Sequence, residues 1–146
     1  FNVLGRISAG LISDKIGRIN TLASACLLSI VGLYFMYISG EGDVRTFYIG
    51  ISIIGICFGS FMGVFPGFTA DQFGAKNNSV NFGIMFSGFA IAGYVGPTIM
   101  TNTLKATGSY KGAFLIGIAF SIAGLLLTFA YRSVNKKVNT ILAAQK

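Results

Sequence analysis

The sequence predicts an all-α membrane protein, on three observations. Apolar residues make up 53% of the 146-residue chain and charged residues only 10%, where soluble domains carry about a quarter charged. Mean hydropathy is +0.74. Uncharged runs of about twenty residues, the length at which a helix crosses a bilayer core, recur along the chain. Most of the charges fall in the short segments between those runs. With 11 Lys and Arg against 4 Asp and Glu, the net charge is +7. A soluble protein with that balance would suggest a nucleic-acid partner, but basic residues confined to loops set membrane topology instead. The lipid bilayer is therefore the expected partner, and nucleic acid is not.

Residues 1–13 read as the end of a first span. The chain opens on Phe1 inside this helix, which is the expectation for the C-terminal piece of a longer protein whose N-terminal half is missing here. Residues 21–39 form an uncharged second span, and Glu41-Gly42-Asp43-Val44-Arg45 a short polar turn. The third span is 47–68, followed by a loop at Thr69 to Ser79 holding Asp71, Lys76 and paired asparagines. Residues 80–102 are the fourth span, Thr103 to Ser109 a loop, and 110–131 the fifth span. Together, 1–131 is expected to be one transmembrane helix bundle, with 132–146 a basic tail, amphipathic or frayed.

Orientation follows from the cations. Lys15, Arg18, Lys76, Arg132, Lys136, Lys137 and Lys146 fall on one side of this arrangement, and Arg45, Lys105 and Lys111 on the other. The positive-inside rule puts the richer side in the cytoplasm, so a multi-pass plasma-membrane protein (inner membrane in a bacterium) with a cytoplasmic C-terminus is expected. That topology keeps the sequon Asn77-Asn78-Ser79 from glycosylation. Tyr37, Tyr48, Tyr110 and Tyr131 lie near span ends, where interfacial aromatics belong.

One charge lies inside a span. Arg6 is eight residues before Asp14, about 12 Å up a helix from the charged turn. A cation at that depth costs about 2.5–3.5 kcal/mol on insertion scales and normally faces a cavity or a partner. A guanidinium is a planar fork that matches a carboxylate bidentately, so Arg6 is the candidate anchor for a small organic anion. Asn2, one turn earlier, shares its face. In the fourth span Ser87, Tyr94 and Thr98 fall on roughly one face and are candidates to hydrogen-bond a substrate, although such hydroxyls also satisfy backbone carbonyls one turn back.

Small residues are ordered as well. Gly55, Gly59, Gly63 and Gly67 recur every four residues in the third span, and Gly88, Ala92 and Gly96 repeat the spacing in the fourth. Each series is expected to form a groove against which another helix packs closely, and over which helices rock. Cys26 and Cys57 lie in spans without metal-ligand spacing and read as small apolar residues. No cofactor, metal or catalytic residue is expected. The chain has no histidine, no nucleophile with a base and no nucleotide loop, so an enzyme is not expected.

The stretch Gly5-Arg6-Ile7-Ser8-Ala9-Gly10-Leu11-Ile12-Ser13-Asp14-Lys15-Ile16-Gly17-Arg18 resembles the loop signature of major facilitator transporters. The resemblance implies that the chain is the C-terminal part of a twelve-helix fold, from the end of helix 8 through helix 12. It also implies a gating latch built on Asp14, Lys15, Gly17 and Arg18, with Asp71 and Lys76 in a lesser version on the next loop. Phe65-Pro66-Gly67-Phe68-Thr69-Ala70-Asp71-Gln72-Phe73-Gly74-Ala75-Lys76-Asn77, Asn81-Phe82-Gly83 and Gly93-Tyr94-Val95-Gly96-Pro97 resemble the oxalate/formate antiporter branch, related to the monocarboxylate transporters. What that implies is carriage of small carboxylates by antiport or proton symport, with a binding arginine at the position of Arg6. The branch's oxalate carriers use a second cation, a lysine in helix 11. This chain has no basic residue from Val80 to Asn102, which favours a monocarboxylate such as lactate, pyruvate or formate. A facilitator for another solute, such as a sugar or drug, and a non-transporting sensor of the same fold remain open at this point.

Overall fold

The computed structural model describes residues 1–40, 42–74 and 76–144, with side-chain surroundings to Lys136. Glu41 of the first turn, Ala75 of the Asp71–Asn77 run, Lys146 and the Lys137 side chain lie outside that description. Five helices follow one another: α1 (Asn2–Ile16), α2 (Arg18–Ile38), α3 (Val44–Phe73), α4 (Asn78–Thr107) and α5 (Lys111–Ala144). Four of them, α2, α3, α4 and α5 up to Lys136, are long and apolar enough to cross a membrane.

Helices extend past the expected spans. Thr69 to Ser79 was expected as a loop, yet α3 runs to Phe73 and α4 starts at Asn78; α4 likewise runs through Thr107, within the expected Thr103–Ser109 loop. Residues 132–144 continue α5 as regular helix. The reason is common to all three. Polar residues mark where a helix leaves the hydrocarbon, but its i to i−4 hydrogen bonds continue until something breaks them. Glycines do that at the ends of α1, α3 and α4, with Gly17, Gly74 and Gly108 at positive φ of 89°, 80° and 69°, and no glycine follows Gly124 to interrupt α5.

α3 is the centre of the bundle, packing against α1, α2 and α4, while α5 lies on α2 and touches α4. Close approach at the seams depends on small residues. A Cβ at Gly5 would strike the backbone of Ile56, one at Gly59 the backbone of Asn2, and one at Gly63 the Arg6 carbonyl at 2.8 Å. The small residues of α1 answer those of α3: Gly5, Ala9 and Ser13, also four apart, are its buried positions. Gly50 faces Met36 and Gly32 faces Ile53 and Ile54 across the α2–α3 seam. Ser29 and Ser121 share a 3.0 Å hydrogen bond across α2 and α5.

α4 differs from the rest in burying no residue. It meets α3 through Phe89 on Phe58, ring centres 5.7 Å apart, and through Met85, whose sulfur accepts from the Thr69 hydroxyl at 3.5 Å. Gly88 and Gly96, expected to pack a neighbour, have no atom within 4 Å of where a Cβ would sit. Among the described residues that groove is empty, because the α3–α4 contact runs along the phenylalanine face instead. Large apolar side chains line the outside of the molecule, Leu127 being 71% exposed and Phe120, Leu126 and Ile91 nearly as open. Such a surface suits lipid and not water.

Candidate functional site

Two polar constellations stand out, one within α1 and one at the end of the bundle where α1 turns into α2. In the first, Arg6 Nε donates to Asn2 Oδ1 at 3.1 Å. The shared face expected of the two residues places them four apart on α1, so Asn2 orients the guanidinium by one of its donors and leaves the others. The backbone under both residues is seated on Gly59 and Gly63 of α3, which fixes their position along the bundle. Arg6 itself is exposed, and no carboxylate among the described residues pairs with it.

Ser87, Tyr94 and Thr98 stand apart from this pair. They lie on α4, which does not touch α1; α3 lies between them. Ser87 Oγ donates to the Ile84 carbonyl at 2.6 Å and Thr98 Oγ1 to the Tyr94 carbonyl at 2.7 Å. With the hydroxyl proton turned inward, each presents lone pairs outward, which accept from a substrate hydroxyl but repel a carboxylate. Tyr94 is largely exposed.

The second constellation brings the expected loop residues onto one ion-pair centre. Gly17 separates α1 from α2 with φ 89°, a conformation that favours glycine. That turn aims Arg18 across to α3, where its Nε lies 2.5 Å from Asp71 Oδ2. Asp14, one turn back, is more distant, at 4.0 Å from Arg18 Nη2. Asp71, expected in a lesser role on a loop, is thus the nearer partner and stands on α3. Gly67 has a different place from the other glycines of its series. A Cβ there would meet the Arg18 guanidinium rather than α1, so Gly67, one turn before Asp71, leaves the space through which Arg18 reaches its carboxylate. Lys15 and Lys76 are exposed, and neither pairs with a carboxylate among the described residues.

Four residues not singled out by the sequence complete this end. Tyr131 Oη donates to Gln72 Oε1, and its ring meets Phe68 edge-on at 5.6 Å. Arg132 Nη1 donates to Asn20 Oδ1 at 3.3 Å, while Asn20 Nδ2 donates to the Ile16 carbonyl at 2.6 Å. Tyr131 and Arg132 were visible only as an interfacial aromatic and a topology charge. Through these contacts the start of α2, the end of α3 and the middle of α5 are tied together by polar groups. Phe68, packed against the buried cluster of Ala9, Leu22 and Val64, adds an apolar contact beneath them.

Comparison with known proteins agrees with this architecture. The profile of the Major Facilitator Superfamily matches residues 1–145. An uncharacterized MFS-type transporter, YhjX of Escherichia coli (strain K12), is 33% identical over 90 residues, covering 62% of this chain and 22% of that protein. The chain thus matches about a fifth of the length of this relative. No solved structure matches. A five-helix bundle with four membrane-length helices, a charged turn between α1 and α2 and a family match along nearly its whole length belong together: this chain is a member of the Major Facilitator Superfamily, a multi-pass membrane protein of a transporter family.

Proposed function

We propose that the protein carries small monocarboxylates, such as lactate, pyruvate or formate, by alternating access as an antiporter or proton symporter, with Arg6 as the carboxylate anchor. One observation carries this reading. Arg6, expected from the sequence inside the first span, keeps four of its five N–H donors beyond the bond to Asn2, is exposed, and has no carboxylate partner among the described residues. A lone cation at that depth is matched best by an anion that arrives and leaves. Its planar fork takes one carboxylate bidentately. α4 supplies no second cation along its span, which disfavours a dianion such as oxalate.

In this reading Arg18, Asp71 and Asp14 form the latch of one access state. The Gly17 turn and the C-terminus face the cytoplasm, and the remaining helices of the carrier close the cavity. Opening separates the α1–α2 turn from the end of α3, breaking the Arg18–Asp71 pair while the glycine seam between α1 and α3 serves as the sliding surface.

Counterflow of labelled lactate, pyruvate, formate and oxalate into proteoliposomes tests the substrate assignment, with wild type and Arg6→Gln at matched insertion. Wild type is expected to move at least one monocarboxylate, and Arg6→Gln to reduce that flux to background. Equal flux in both, or no flux of any acid in wild type, removes the carboxylate reading and leaves the family assignment untouched.

A further inference from the structure

A cleft of about 230 Å³ opens where the start of α2 and the end of α3 meet the middle of α5, lined by Arg18, Asn20, Phe68, Asp71, Gln72 and Arg132 among others. We propose that this cleft binds the phosphate of an anionic phospholipid, with Arg132 as its principal ligand. The inference concerns a site separate from Arg6 and holds whether or not the Arg18–Asp71 pair gates transport.

Charge comes first. The lining holds two guanidinium groups and one carboxylate, and that carboxylate, Asp71, is already engaged by Arg18 at 2.5 Å. Arg132 is left with a neutral partner, Asn20 Oδ1 at 3.3 Å through one Nη1 hydrogen. Asn20 is in turn held by its bond to the Ile16 carbonyl, so the guanidinium is oriented rather than free to sweep. Its remaining N–H donors form the planar fork that grips phosphate oxygens in pairs. The volume equals that of about eight waters at ~30 Å³ each, enough to admit a phosphate group.

Depth along the bilayer selects the lipid as the source of that phosphate. Gly112 to Tyr131 is an unbroken uncharged stretch of α5, about 30 Å long at 1.5 Å per residue, the thickness of a hydrocarbon core. Arg132 is the next residue, and thus lies at the level of the headgroup phosphates. Phe68, which packs edge to face on the Tyr131 ring at 5.6 Å, gives the cleft an apolar wall that suits the glycerol and upper acyl chain of a lipid. Phosphatidylglycerol carries an uncompensated phosphate, whereas the choline of phosphatidylcholine offsets its own. The cleft therefore favours the former.

Native mass spectrometry of the intact protein, released from nanodiscs of mixed phosphatidylglycerol and phosphatidylcholine, reads retained lipid directly. Phosphatidylglycerol is expected to be retained in preference to phosphatidylcholine. Arg132→Gln should lower that retention about tenfold, and Asn20→Ala less, since it removes only the orienting acceptor. Lys15→Gln, at the same end but outside the cleft, should lower it by no more than the roughly fivefold that one basic residue contributes near an anionic surface. Equal losses in Arg132→Gln and Lys15→Gln, or none in the former, overturn the site in favour of diffuse attraction. Release of the bound lipid by millimolar glycerol phosphate or inorganic phosphate overturns the lipid as ligand and assigns the cleft to a soluble anion.

Discussion

α3 and α4 carry the same spacing of small residues, and only one of them uses it. On α3 the groove of Gly59 and Gly63 is occupied by the backbone of Asn2 and Arg6, so closely that an added methyl would overlap it. On α4 the matching groove of Gly88 and Gly96 has nothing within 4 Å among the described residues, and the helix buries none of its side chains. Spacing alone makes a helix face smooth. A second helix lies in it only if that helix is itself smooth where they cross, as α1 is at Gly5, Ala9 and Ser13. α4 instead presents Phe82, Phe86 and Phe89 in a row, tilted ring against ring with centres 5.3 and 4.9 Å apart, and a wall of rings keeps α3 at side-chain distance.

The comparison breaks most sharply on a matched pair of substitutions. Gly59→Val places new atoms against α1 backbone that has no rotamer to give, so a loss of about 3 kcal/mol is expected, the upper end for overpacking. Gly88→Val should stay within about 0.5 kcal/mol of wild type, as open positions do. Unfolding midpoints of the intact protein in one detergent measure both. Equal losses would mean that α4 is packed in the working protein as tightly as α3, and the contrast between them would disappear.

A smaller effect is expected at Gly67, which belongs to the same series but faces a side chain. Its added Cβ would meet the end of Arg18, which can swing away, at the expense of the bond to Asp71. That pair is partly solvated, with Arg18 28% and Asp71 53% exposed, so its worth is about 1 kcal/mol or less. Gly67→Ala and Asp71→Asn should each shift the balance of access states by up to about fivefold, and the double variant no further than either alone. Cysteine cross-linking between the α1–α2 turn and the end of α3 would report the populations. Additive shifts would show that Gly67 acts on something other than this ion pair, and Gly96→Ala on α4 should shift nothing.

How much of this was legible beforehand follows the range of the interactions. Hydropathy located the membrane-length helices, because burial in lipid is a property of each residue run. The charged turn and the groove of α3 were legible for the same reason, since both are patterns within one helix or loop. Helix ends were misplaced at Thr69–Ser79 and Thr103–Ser109, where polarity was taken for loss of helix although glycine is what stops the chain. The partners were illegible. Asp71 is 53 residues from Arg18, Gln72 59 from Tyr131, and Asn20 112 from Arg132, and nothing in a local pattern selects one polar residue near a span end over another. For the same reason a local pattern does not tell that α3 packs on both α1, which carries Arg6, and α4, which carries Ser87, Tyr94 and Thr98.

The slightest expected difference between α3 and α4 lies at their first turns. Asp43 caps α3, its Oδ1 accepting from the Thr46 amide at 3.2 Å. Asn77, at the same position of α4, makes no side-chain cap bond. The hydroxyl of Thr46 first, and then its amide, hold the Asp43 carboxyl below its ordinary value. A carboxylate depressed in the folded state contributes its stabilisation above the unfolded value of about 3.9, and that contribution fades as pH falls through the lower folded value. Hydrogen-exchange protection of the Thr46 and Phe47 amides should therefore step down below about pH 4, and Asp43→Asn should flatten the step. The first turn of α4 should show no such step in the same experiment, because an asparagine does not titrate. A step of equal size there would trace the acid response to opening of the whole bundle, and the cap on α3 would then have no separate part in it.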